Sequence, residues 1–140
     1  MLDRLSVYAA ALWWGSLSVI GFMAVPLLFA SLPSKALAGH AAAQLFAAQT
    51  WVSVVCGLVL LLIDRQKKAL APANPARIAI VFVVFGVLLA LLLEYAVAPR
   101  IVARHNLRLW HSLGAAMYAV QWLSAAVVLW PLAGRKEELP

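Results

Sequence analysis

The chain has 140 residues, 66% of them hydrophobic and 11% charged, with a formal net charge of +6. A soluble domain is nearer half apolar and about one quarter charged, so a core of this size cannot hold the excess and lipid must cover it. The pI near 10.1 suggests nucleic acid, yet the basic residues sit in short stretches between apolar runs. That is the pattern of orientation signals, and it excludes nucleic acid as a partner.

Four apolar runs are long enough to cross about 30 Å of hydrocarbon, which takes roughly 20 residues each. The first spans about 5–31 and carries Trp13-Trp14-Gly15-Ser16, with Pro26 expected to kink its last turns. Leu5 to Ala30 holds no charge, too long for the roughly 7–15-residue apolar core of a signal peptide, so an uncleaved helix is expected. The turn Leu32-Pro33-Ser34-Lys35 leads to a second run, about 37–63, whose start holds His40, Gln44 and Gln49. Asp64-Arg65-Gln66-Lys67-Lys68 is expected to stop it, and Pro72 and Pro75 to keep the following loop from being helical. The third run, about 77–98, is the most apolar, and Pro99-Arg100 ends or bends it. The fourth, about 109–132, closes at Pro131 before the charged tail Arg135-Lys136-Glu137-Glu138. The pattern predicts an all-α fold, a single transmembrane domain over 1–140 built as a four-helix bundle. Six tryptophans suit the membrane–water interfaces. Cys56 is the one cysteine, so an internal disulfide is excluded.

Counting Lys and Arg by side gives the orientation. Arg4, Arg65, Lys67, Lys68, Arg77, Arg135 and Lys136 share one side, against Lys35, Arg100, Arg104 and Arg108 on the other. Both termini are therefore expected in the cytoplasm. The three arginines on the minority side need a reason: a site for an anionic group, or snorkelling to lipid phosphates.

The polar residues converge on Glu94–Ser112, which holds the one acid inside an apolar run, three arginines and two of the three histidines. Glu94 lies about 25 Å along a helix starting at Arg77, at a rise of about 1.5 Å per residue, which is the outer part of the membrane. His111, in the first turn of the fourth helix, and His40, near the start of the second, fall toward the same face. A Glu94–His111 hydrogen bond or ion pair would satisfy two groups that lipid would not. Gly86, Ala90, Glu94 and Ala98 recur at i+4 as a small-residue stripe, and His111, Gly114, Tyr118 and Gln121 share one face of the fourth helix. His40 and Gln44 share a face of the second helix, Gln49 and Ser53 another; Trp14, Ser18, Gly21 and Val25 line the first. The candidate ligand-binding cluster is thus Glu94, His111, His40, Gln44, Arg100, Arg104, Arg108, Tyr118 and Gln121. The bland reading is a bundle whose buried polar groups hydrogen-bond one another as glue.

Nucleotide, hydrolase and metalloprotease motifs are absent, as is C-x-x-C. No catalytic residue and no metal site are expected. Glu94-Tyr95, Pro99-Arg100, Arg108-x-Trp110-His111-Ser112, the Trp-Gly start with Gly21 and Pro26-Leu27-Leu28-Phe29, and Ala38-Gly39 through Leu45-Phe46 resemble the small four-helix proteins grouped with transmembrane protein 205. The resemblance covers most of the chain. It implies a bacterial, multipass inner-membrane protein with no established reaction; the animal namesake is associated with platinum-drug resistance. The resemblance transfers no catalytic residues.

Three functions compete. The first is a non-enzymatic membrane protein that binds a small ligand or assists another membrane protein, without a cofactor. The second is a haem-binding oxidoreductase similar to the four-helix protoporphyrinogen oxidases, with His111 on the haem and Arg100 or Arg104 on the substrate. The third is a proton-coupled transporter subunit using Glu94, which needs a homo-oligomer to enclose a path. The first is favoured.

Overall fold

A computed structural model describes residues 1–70 and 77–134, apart from the side chains of 68–70 and 77–78. All of its regular elements are helical: α1 (Leu2–Val19), a π-helical turn (Ile20–Ala24) and α2 (Val25–Ser31) form one continuous rod, followed by α3 (Lys35–Leu70). A second composite rod comprises α4 (Arg77–Leu92), a π-helical turn (Leu93–Val97) and α5 (Ala98–Val102), and α6 (Leu107–Ala133) follows. Four segments are long and apolar enough to span a membrane: Leu2–Ser31, Lys35–Lys67, Ala79–Val102 and Leu107–Ala133. The shortest has 24 residues, about 36 Å at about 1.5 Å per residue, enough for a core of about 30 Å.

Short turns make successive spans antiparallel, and the four close into a ring: α1 packs on α3, α3 on α4, α4 on α6, and α6 back on α1. The ring has two ends. Met1, the end of α3, the start of α4 and the end of α6 lie at one, here called the terminal end. The connections at 32–34 and 103–106 lie at the other, the turn end.

Trp13 fills the centre. Its side chain is wholly buried among Ala10, Leu17, Cys56, Leu60, Val83, Ala125 and Val128. The indole reaches across the ring to α4, where a Cβ on Gly86 would stand 2.8 Å from its Cζ2 and Cη2 atoms. Only a residue without a side chain fits there. The outer surface is the reverse of a soluble bundle: Leu12, Phe22, Trp51, Leu58, Leu62, Val81, Leu88, Leu123 and Trp130 all point outward and are exposed. Apolar patches on every span would aggregate in water and are at home in lipid.

Neither Pro26 nor Pro99 ends its helix. Proline lacks an N–H, and its ring collides with the carbonyl four residues earlier, here Phe22 for Pro26 and Tyr95 for Pro99. A π-helical turn directly before each absorbs the conflict: Val25 N–H donates to Ile20 O and Ala98 N–H to Leu93 O, five residues back. The rods then continue. Pro131 likewise sits inside α6, which runs on to Ala133. The charged run from Asp64 does not stop the second helix, since α3 continues to Leu70. Asp, Arg, Gln and Lys there are ordinary helix residues; they end the apolar span and leave the helix intact. Pro72 and Pro75 lie outside the described residues, as does the tail from Arg135.

Candidate functional site

The serine and threonine hydroxyls organise the bundle's polar interior. Ser16, Ser18, Thr50, Ser53 and Ser124 each donate back to a carbonyl of their own helix, three or four residues earlier. With its proton spent, each hydroxyl oxygen remains an acceptor for a neighbouring helix. Gln49 Nε2 donates to Ser16 Oγ at 3.0 Å and to Ser53 Oγ at 3.4 Å. Gln121 Nε2 crosses the ring to the same Ser53 Oγ at 3.0 Å, so that oxygen uses both lone pairs. Trp122 Nε1 donates to Ser18 Oγ at 2.8 Å. Tyr118 Oη donates to the Leu17 carbonyl at 2.8 Å, next to the π-helical turn, where the α-helical ladder gives way to another register. A Cβ on Gly21 would collide with the Tyr118 ring. This seam lies about midway along the first rod, α3 and α6, and Gln49, Ser53, Gln121 and Ser124 are all buried. Three of its neighbouring polar atoms, Gln49 Oε1, Trp13 Nε1 and Trp14 Nε1, are buried without a hydrogen-bond partner among the described residues.

Of the candidate residues, Tyr118 and Gln121 belong to the seam. The others do not converge with them. Glu94 is half-buried within the π-helical turn of the second rod, and His111 is exposed. The expected Glu94–His111 pair is not formed: neither side chain has a hydrogen bond or ion pair among the described residues. His111 does share a face with Gly114, Tyr118 and Gln121, but burial deepens along that face, from exposed His111 through half-buried Gly114 to buried Gln121. His111 is the fifth residue of α6, near the turn end, where the helix is still exposed. The stripe on α4 likewise holds for Gly86 and Ala90, after which the π-helical turn shifts the buried position to Val97. His40 and Gln44 are exposed, with Gln44 Nε2 3.5 Å from His40 Nε2. The buried face of α3 is the one with Gln49 and Ser53. Sequence reasoning paired these two at i+4 without recognising that their face turns inward.

The arginines gather at the turn end. Arg100 is fixed, its Nη1 donating to Ala96 O at 2.9 Å and its Cζ 4.5 Å above the Trp110 ring. Between α5 and α6 the backbone turns on two left-handed residues, Arg104 (φ 54°) and Asn106 (φ 38°). The His105 N–H closes on Arg100 O at 3.1 Å. The side chains of Arg104, His105 and Arg108 are exposed on this turn, and none of the three makes a hydrogen bond or ion pair among the described residues. Also among the described residues, no group of three or more His, Cys, Asp or Glu is placed to hold a metal ion. The turn therefore offers two guanidinium groups and an imidazole to an anion.

Fold and interior together define a four-span, all-α membrane bundle with a buried polar seam. The chain belongs to a family known as a domain of unknown function, DUF4149, whose sequence model matches residues 8–109. The match covers the seam residues Ser16, Gln49 and Ser53 and the basic turn, and ends within α6. No curated protein and no solved structure matches the chain.

Proposed function

We propose that this is a non-enzymatic multipass membrane protein that binds a small anionic group at its turn end. One observation supports this most directly: Arg104 and Arg108 stand exposed around a tight turn with no ion-pair partner among the described residues, while Arg100 beside them is held by Ala96 O and Trp110. An arginine fork suits phosphate or carboxylate, and a cluster at the membrane surface concentrates such ions. On this reading the termini are cytoplasmic, the turn faces outward across a bacterial inner membrane, and the protein works without a cofactor. The motifs around Pro26, Glu94 and Trp110 keep kinship with the transmembrane protein 205 group as part of the proposal.

Thermal unfolding of the detergent-solubilised chain with inorganic phosphate tests the reading. A ligand at about 100 times its Kd stabilises by about 2.7 kcal/mol, and that upward shift should disappear in Arg104→Ala/Arg108→Ala. An equal shift in the double variant would refute the site. Protein from haem-replete cells should show no Soret band; a stoichiometric band lost in His111→Ala would instead support the oxidoreductase. The transporter reading draws on half-buried Glu94, and it predicts proton-linked uptake abolished by Glu94→Gln in a well-folded protein.

A further inference from the structure

At the terminal end, opposite the basic turn, an open groove of about 510 Å³ lies between the start of α1 and the end of α3. Its walls are Leu2, Leu5, Val59, Leu62 and Ile63, and its rim is Arg65 and Gln66. The volume lies within the roughly 300–1,000 Å³ of small-ligand sites. Along α3 the lining passes from aliphatic Val59, Leu62 and Ile63 to polar Arg65 and Gln66 toward the terminal end, so the groove is amphipathic.

Charge separates the possible occupants. Lys67 is committed, its Nζ 2.6 Å from Asp3 Oδ1, and this contact ties α1 to α3 beside the cavity. The Arg65 side chain is exposed and makes no hydrogen bond or ion pair among the described residues. The same two helix ends carry Arg4, Arg65, Lys67 and Lys68 against Asp3 and Asp64, a positive balance just where the apolar span ends. A cationic or zwitterionic partner gains nothing from that balance. A lipid with a net negative headgroup satisfies both parts of the groove at once: an acyl chain replaces water along the leucines, and a phosphate oxygen accepts from Arg65 and Gln66.

We propose that this groove is a binding site for one anionic phospholipid, with its acyl chain against Leu2, Leu5, Val59 and Leu62 and its phosphate at Arg65. The inference is independent of the turn-end site, since it uses the other end of the bundle and different residues. Basic residues near the surface favour anionic lipid leaflets, so the groove would hold the protein to lipid of one headgroup class. Lipid that merely coats the bundle would show no headgroup preference.

Native mass spectrometry of the full-length, detergent-solubilised protein tests it, using phosphatidylglycerol and phosphatidylcholine with identical acyl chains. The wild type should retain one phosphatidylglycerol about fivefold more than phosphatidylcholine, the ratio expected from about one favourable basic contact. Arg65→Ala, an exposed substitution, should bring that ratio to unity, and Arg65→Lys should keep part of it. Leu62→Trp should fill the groove and lower retention of both lipids. Arg104→Ala/Arg108→Ala should leave the ratio unchanged, which separates this site from the turn. Equal retention of the two lipids by the wild type, or a preference that survives Arg65→Ala, would overturn the proposal.

Discussion

Ser53 carries more of the interior than its size suggests, because its single oxygen accepts from both Gln49 and Gln121. Ser53→Ala leaves two buried amide donors short of a partner. Hydrogen bonds between membrane helices average only about 0.6 kcal/mol, but orphaned buried donors cost about 1–3 kcal/mol each in general. We expect Ser53→Ala to destabilise the bundle by about 1–2 kcal/mol, measured by unfolding in mixed micelles. Ser53→Ala/Gln121→Leu should cost less than the sum of its parts, since the second change removes an orphan. Gly86→Val should do harm for a different reason: it drives a side chain into the Trp13 indole, and overpacking costs about 1–3 kcal/mol. Glu94 and His111 form no hydrogen bond or ion pair with each other, so Glu94→Ala and His111→Ala should be additive within about 0.5 kcal/mol in the same assay; strong coupling would place them together after all. Why their pairing was expected is clear. Spacing assigns a residue to a helix face, but it does not say how far along that face the neighbouring helices reach. His111 lies on the right face and too near the helix start.

The connecting elements were less legible than the spans. Pro26 and Pro99 are plain signals for a kink, yet the π-helical turns that absorb them depend on packing around Gly21, Tyr118 and Val97 that no local pattern records. Asp64–Lys68 reads as a stop because charge ends a lipid-facing segment, and the helix itself has no reason to end there. The turn before α6 gives a sharper test. Arg104 adopts φ 54°, a conformation that costs a non-glycine residue roughly 1–2 kcal/mol. Glycine would relieve that strain, while the unfolded chain would gain entropy worth about 0.4–1 kcal/mol. Arg104→Gly should therefore leave thermal stability unchanged or slightly raised. It should nonetheless weaken phosphate binding, because one guanidinium is gone. A large loss of stability would mean that the Arg104 side chain braces the turn, and the anion reading would lose its freest contributor.

At the scale of the molecule, the sequence declares the four spans because the count of apolar residues leaves no soluble alternative, and the structure bears that out with outward-facing leucines, valines and tryptophans on the bundle surface. The interior was harder to foresee. In a soluble helix polar residues mark the outside, but in lipid both the buried seam and the membrane surfaces are polar, so His40–Gln44 and Gln49–Ser53 look alike until packing separates them. Orientation is the remaining property with a direct test. The sequence count assigns Arg4, Arg65, Lys67, Lys68, Arg77, Arg135 and Lys136 to the side of the termini, and Lys35, Arg100, Arg104 and Arg108 to the other. Basic residues near span ends are retained on the cytoplasmic side, so on the proposed reading an even number of spans puts both termini there together. Arg100 weakens the counterweight, since its charge is stacked on Trp110 and bound to a backbone carbonyl. Cysteine labelling in intact cells can read this. Cys56, the one native thiol, is buried among Trp13 and Leu60 within the bundle, so Cys56→Ala supplies a silent background. In it, Ser34→Cys and Asn106→Cys, both at exposed turn-end positions, should react with a membrane-impermeant maleimide. Gln66→Cys, exposed at the other end, should react only after the cells are opened. The reverse pattern would put the basic turn in the cytoplasm, where its arginines become ordinary orientation charges and the external anion site falls. Labelling of all three in intact cells would mean a mixed topology, for which a seven-to-four excess is too small to decide the insertion.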